Sequence, residues 1–193
     1  MRTSVLVVAV TLCWTGLSLA QDHPKAELFG GFSVEHVAPC GESGSGCNFE
    51  GNEGPVTGNF KGWNAAATAY FKRSWGITAD VAGHYGSTNF LPGGSASYSN
   101  YSYMFGPTYA VHLESATPFV HGLFGGVTWR SPSNLVQYNA LAWAVGGGVD
   151  VNATPRVAVR VVQVDYVGTR VPSAGNSHIG SGFRFSLGFV FKF

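Results

Sequence analysis

Charged residues make up only 11% of this 193-residue chain, less than half the roughly 25% of an average soluble domain. With aromatics at 14%, that scarcity excludes a disordered chain, which needs abundant charge and few rings. Lysine and arginine number 11 against 10 acids, a net charge of +1. No basic run exists to release counterions from phosphates, which excludes nucleic acid as a partner. Beyond residue 20 the chain also lacks any stretch of about 20 consecutive apolar residues, so a helical membrane span is excluded. Cysteine is scarce too, at three.

The first twenty residues stand apart. Met1-Arg2 supplies a short positive start, Val5 to Leu12 an apolar run, and Ser18-Leu19-Ala20 a small-x-small cleavage site before Gln21. This is the three-part form of a secretory signal peptide, and its apolar run is too short to span a bilayer. Two domains of organisation are therefore expected: 1–20 as a cleavable leader and 21–193 as the mature unit. No cysteine follows the cleavage site, so a lipid-anchored N-terminus is not indicated. Cys13 leaves with the leader, and Cys40 and Cys47 remain in a Gly/Ser-rich polar stretch. In an oxidising compartment that pair predicts a local disulfide. A two-cysteine metal site would need further ligands at suitable spacing, and none follow.

What the mature chain has in abundance is alternation. Phe183, Phe185, Leu187, Phe189, Phe191 and Phe193 share one parity, with Arg184, Ser186, Gly188, Val190 and Lys192 on the other. Side chains alternate faces on a strand, whereas a helix would scatter those rings around its circumference. The same two-faced pattern recurs along the chain. It predicts eight strands at about 25–36, 59–71, 75–86, 99–111, 117–129, 138–151, 156–167 and 178–193. Residues 119–129 are apolar on both parities, so their faces stay unassigned. In the seventh strand Arg160 is out of phase with Gln163 and Asp165, and one extra residue near Val161-Val162 would restore a common face. That predicts a β-bulge. Short connections (72–74, 112–116, 152–155) alternate with longer ones rich in Gly, Ser, Asn and Pro (37–58, 87–98, 130–137, 168–177). This is the rhythm of an antiparallel up-and-down barrel with both termini at the short-turn end.

Size decides which face is inside. Eight strands enclose a lumen barely wide enough for side chains, and here the polar face carries the small residues. The bulky face must then point outward, which requires lipid, and closure is required because a sheet edge in hydrocarbon leaves backbone groups unpaired. The expected fold is all-β: a closed antiparallel eight-stranded transmembrane barrel. Glu27, Glu35, Asp80, Asp150, Asp165, Arg160, Arg184 and Lys192 then point inward. Buried charges must pair or neutralise, so Arg160 and Arg184 are expected to pair with Asp165, Asp150 or a glutamate, as polar packing that plugs the lumen. His84, His112 and His121 are read as strand-face or turn residues, not metal ligands. No cofactor is expected.

At this point the chain resembles the small eight-stranded outer-membrane barrels of Gram-negative-type bacteria, the family of the OmpA transmembrane domain and OmpX. The likeness covers the whole mature chain. Its most specific piece is Ser186-Leu187-Gly188-Phe189-Val190-Phe191-Lys192-Phe193, similar to the C-terminal assembly signal of such proteins in its Ser186, Gly188, Phe191 and Phe193. Gly146 to Val151, and Arg160 with Asp165-Tyr166, look like the family's penultimate-hairpin motifs, with one extra residue between the arginine and the acid. The resemblance implies an outer-membrane location, surrounding lipid, periplasmic chaperones and the barrel-assembly machinery as partners, and a monomer. It implies a structural or surface-interaction role, with loop 37–58 as the best contact surface. A narrow pore is the alternative. A lipid A deacylase is the rival enzyme class, but that pattern places serine two residues after the histidine. Here Gly180 follows His178 at that spacing, and Ser181 falls on the opposite face.

Overall fold

A computed structural model describes residues 24–37, 58–90, 94–130, 137–173 and 176–193. The leader, the Cys40/Cys47 pair and most of loop 37–58 lie outside the described residues. Among those described, every regular element is a strand: β1 (Ala26–Val37), β2 (Gly58–Tyr70), β3 (Trp75–Phe90), β4 (Gly94–Ala110), β5 (Ala116–Arg130), β6 (Gln137–Asn152), β7 (Val157–Ser173) and β8 (Asn176–Lys192). Each pairs antiparallel with its neighbour, and β8 returns to β1, so the sheet closes into a barrel. The closing seam runs from Glu27 opposite Lys192 to Val37 opposite Gly182. It is extended by the Lys25 amide, which donates to the Phe193 carbonyl at 2.7 Å.

The alternation read from the sequence becomes the inside and outside of this barrel. Phe183, Phe185, Leu187, Phe189 and Phe191 are all about half exposed, whereas Arg184 is 1% exposed. A row of half-exposed rings with no water-facing charge between them suits hydrocarbon. Aromatic pairs mark both margins of the apolar band: Trp75 with Tyr109 at the turn end, Tyr85 with Tyr101 at the loop end. Ten steps along β3 separate Trp75 from Tyr85. At about 3.3 Å per residue and a tilt of about 40°, that is roughly 25 Å of membrane-normal height, the thickness such barrels bridge.

Two expectations need correction. Residues 87–98 and 168–177 were expected to be connections, but most of them belong to strands, with only 91–93 and 174–175 left between. Their Gly, Ser and Asn content weakens strand propensity, yet a hairpin already in register extends its ladder at little cost, as from Tyr85 opposite Ser99 to Phe90 opposite Gly94. The lumen is also not uniformly small and polar. It contains Phe29, Phe60, Met104, Phe119, Leu123, Val127 and Trp129, all buried.

The bulge sits at the expected place. Arg160 lies opposite Gly188, while Gln163 lies opposite Ser186, so β7 spends one more residue than β8 over that interval. Val161 and Val162 are consecutive and both exposed to the lipid side. Beyond them Gln163 and Asp165 turn inward again.

Outward glycines are partnered by rings on the neighbouring strand. Trp143 on β6 lies opposite Gly168 on β7, and a Cβ added at Gly168 would come within 2.3 Å of the Trp143 ring. The ring covers backbone that a bare glycine would leave thinly packed. Replacing Gly168 with valine is expected to push the indole off and lower stability by about 1–2 kcal/mol. Urea titration of the bilayer-folded protein checks this, and an unchanged midpoint would show that the ring packs elsewhere.

Candidate functional site

The lumen holds most of the protein's buried polar chemistry. Towards the turn end it carries a chain of linked charged and polar side chains. Arg184, from β8, reaches across the barrel: its Nη1 donates to Asp80 Oδ1 of β3 at 2.8 Å, and its Nη2 to Asp165 Oδ2 of β7 at 2.7 Å. Asp80 accepts a further bond from the Asn64 amide at 2.7 Å. Asp165 also accepts from Gln163 Nε2 at 2.8 Å and lies 2.9 Å from His121 Nε2. A carboxylate can only accept, so His121 carries its proton on Nε2 there. Gln163 in turn accepts from Arg160 Nη1 at 2.7 Å, and Arg160 grips Asp150 with two bonds, at 2.7 and 3.0 Å. The Arg160 guanidinium lies over the faces of Phe29 and Phe119, 4.2 Å from each centroid. Desolvated guanidinium over rings gains from their quadrupoles, so carbon as well as charge holds this arginine.

At the turn end the Tyr70 hydroxyl donates to Glu27 Oε2 at 2.8 Å. Glu27 Oε1 lies 3.5 Å from His112 Nε2 and 3.9 Å from Lys192 Nζ. Lys192 donates to Asn152 Oδ1 at 2.6 Å and to Thr117 at 3.3 Å. Above Glu27, a cavity of about 10 Å³ is lined by Thr78, Thr108, Thr117, Asp80 and His121, among others. That is room for about one water molecule.

Near the loop end a separate cluster joins β1, β3, β4 and β8. His84 Nε2 is 2.9 Å from Ser33 Oγ, and His84 Nδ1 is 3.1 Å from Glu35 Oε2. Asn100 Nδ2 donates to Glu35 at 3.1 Å, and the Ser186 hydroxyl donates to Ser33 at 3.0 Å. Serine, histidine and glutamate in this bonded order match the connectivity of a hydrolytic triad. Ser33 and His84 are nevertheless completely buried. A nucleophile must meet an acyl carbon with oxyanion donors beside it, and among the described residues the Ser33 hydroxyl bonds to His84 and Ser186. As placed, the trio orients its members and fills space.

Beside this cluster lies an apolar one. Phe60, Met104, Leu123, Val127, Trp129, Ala140, Ala142, Ala144 and Val167 form one cluster, with Val37 packed against it. Phe60 and Trp129 meet edge to face at 5.8 Å.

All eight charges expected inside do lie on the lumen side, and the arginine partners include the two expected aspartates. The sequence reading missed Asp80 as a second anchor for Arg184, Asn64 and Gln163 as relays, and the histidines as carboxylate partners. His84 shares the parity of Asp80 along β3, a visible signal. Ser186 bonds within the lumen, Gly188 packs against β1, and Phe191 and Phe193 face outward. The His178 side chain is not among those described. No group of three or more metal-ligating side chains occurs among the described residues.

No family model matches the chain, and no curated protein does. Solved structures do match. The crystal structure of Neisserial surface protein A aligns with a TM-score of 0.61 at 12% identity, covering 88% of this chain and 97% of that one. The Yersinia pestis attachment invasion locus protein Ail, solved with the heparin analogue sucrose octasulfate, aligns at 0.49 and 15% identity, covering 88% and 99%. The N-terminal β-barrel domain of Pseudomonas aeruginosa OprF aligns at 0.45 and 7% identity, covering 88% and 98%. At such identities the likeness is one of fold. The chain has the fold of the small eight-stranded outer-membrane barrels.

Proposed function

We propose that this is an outer-membrane protein that works by standing in the membrane and presenting its loop end, not by conducting or catalysing. The observation that carries this reading is a filled lumen inside an apolar exterior. An ion pair of 2.8 Å joins Arg184 to Asp80 across the lumen, an apolar cluster from β2 and β4–β7 fills space beside it, and bulky apolar side chains face outward from Phe183 to Phe191 on β8. A solute path would have to part the apolar cluster and break the network. On this reading residues 1–20 direct export, and the periplasmic chaperones and assembly machinery read Ser186, Gly188, Phe191 and Phe193. The monomer closes without a partner's strand. Loop 37–58, bridged by Cys40 and Cys47, is the surface contact.

Cell fractionation tests the location: the full chain is expected with the outer membrane and to shift in gel mobility on heating. Recovery in the periplasm as a soluble species would overturn the reading. Planar-bilayer recording tests the lumen. The purified protein is expected to show no stepwise conductance; discrete steps would establish the narrow pore instead. Deleting residues 41–46 is expected to leave folding intact and to weaken whole-cell binding to host or matrix surfaces.

A further inference from the structure

The described strand-borne acids all point into the lumen, whereas only some of the cations, Arg160, Arg184 and Lys192, do. Lys61, Arg130 and Arg170 are exposed on the outward face, all near the loop end of their strands. Two of them belong to one patch. Lys61 of β2 lies opposite Tyr85 of β3, Tyr85 opposite Ser99 of β4, and Ser99 opposite Arg130 of β5. Lys61 and Arg130 thus end one continuous hydrogen-bonded row three strand spacings wide, roughly 14 Å. Between them the Tyr85 and Tyr101 hydroxyls meet at 3.1 Å, and the Arg130 guanidinium lies 5.5 Å from the Tyr101 ring centroid. Below the patch the same outward face continues as Trp63, Val81, Tyr103 and Phe105, all about half exposed.

We propose that this patch, Lys61–Tyr85–Tyr101–Arg130, is a headgroup site for a phosphorylated glycolipid of the outer leaflet. The inference rests on the outer-membrane reading above and adds a ligand class to it. Two separated cations suit two phosphate groups on one head, since guanidinium and ammonium form charge-assisted bonds to phosphate oxygens. Phenolic hydroxyls and ring faces between them suit sugar hydroxyls and sugar faces. The apolar strip beneath suits the acyl chains of the same molecule, and no described outward strand acid opposes the phosphates. Tyrosine at such an interface has one wet end and one apolar end.

The test uses the full chain folded in zwitterionic nanodiscs, with native mass spectrometry counting bound lipid on titration with a diphosphorylated lipid A. Wild type is expected to bind one molecule saturably. The double variant Lys61→Gln/Arg130→Gln is expected to bind at least about tenfold more weakly, having lost both charge-assisted contacts. Arg170→Gln, an equally outward cation off this row, is expected to bind as wild type. Inorganic phosphate at matched ionic strength is expected not to compete, which separates a lipid head from a free anion site. Equal binding by the double variant, or equal loss in Arg170→Gln, would overturn the proposal. Neither result bears on whether the protein fractionates with the outer membrane, so the two readings fail separately.

Discussion

Replacing Arg184 with alanine is expected to cost about 3–5 kcal/mol of unfolding free energy, a large fraction of what a barrel of this size has to lose. The guanidinium is 1% exposed and lies between Asp80 and Asp165, themselves 1% and 0% exposed. Removing it strands two carboxylates in the lumen, and an uncompensated buried charge is dearer than a lost contact. The companion experiment separates these effects. Adding Asp80→Asn and Asp165→Asn to Arg184→Ala removes the stranded charges and is expected to restore much of the loss. Urea titration in vesicles, followed by tryptophan fluorescence and gel mobility, measures both. A single-variant loss under about 1 kcal/mol, the range of exposed pairs, would show that water reaches the network.

Val161→Arg is expected to destabilise strongly while deletion of the same residue is tolerated. The bulge holds Arg160 and the pair Gln163 and Asp165 on the lumen side, although they differ in parity. With Val161 removed, β7 takes two steps from Arg160 to Gln163, as β8 does from Gly188 to Ser186. A regular ladder then keeps Arg160, Gln163 and Asp165 all inward, so a heat-shifting folded form is expected. Val161→Arg keeps the count but turns a charge into lipid, which costs up to about 4 kcal/mol in such a barrel. Urea titration in vesicles measures both. Loss of the folded form in the deletion would show that the extra residue itself sets the register.

Those two experiments probe features that differ in how visible they are in the chain. The bulge follows from parity alone: Arg160 is even, Gln163 and Asp165 are odd, and three polar side chains must share a wet side. The outward face of β8 is as plain, because a strand's period is two and six bulky side chains keep it without a break. Cross-lumen partners are another matter. Arg184 and Asp165 are ladder neighbours, so adjacency suggests the pair. Arg184 and Asp80 are 104 residues apart on strands that do not touch in the sheet, and their meeting depends on strand tilt after closure. No pattern along the chain encodes that.

β5 was illegible for a different reason. Phe119, Leu123, Val127 and Trp129 face the lumen, whereas Val120 and Phe124 face lipid, so both parities are apolar. The strand supplies Leu123, Val127 and Trp129 to the apolar cluster, and a rule that equates apolar with lipid-facing fails where a lumen holds carbon. His121 was hidden by the same ambiguity. The strand ends were hidden by composition, since Gly, Ser and Asn mark turns in isolation but do not stop a ladder already running.

The depth at which the lumen's charge lies has a consequence for the medium in which the protein can live. Dissolved ions weaken electrostatic attraction only where they can approach, over a distance of about 8 Å at physiological strength. Arg184, Asp80 and Asp165 are each at most 1% exposed. The barrel's internal cohesion is thereby little touched by salinity: brine and fresh water leave these pairs alike.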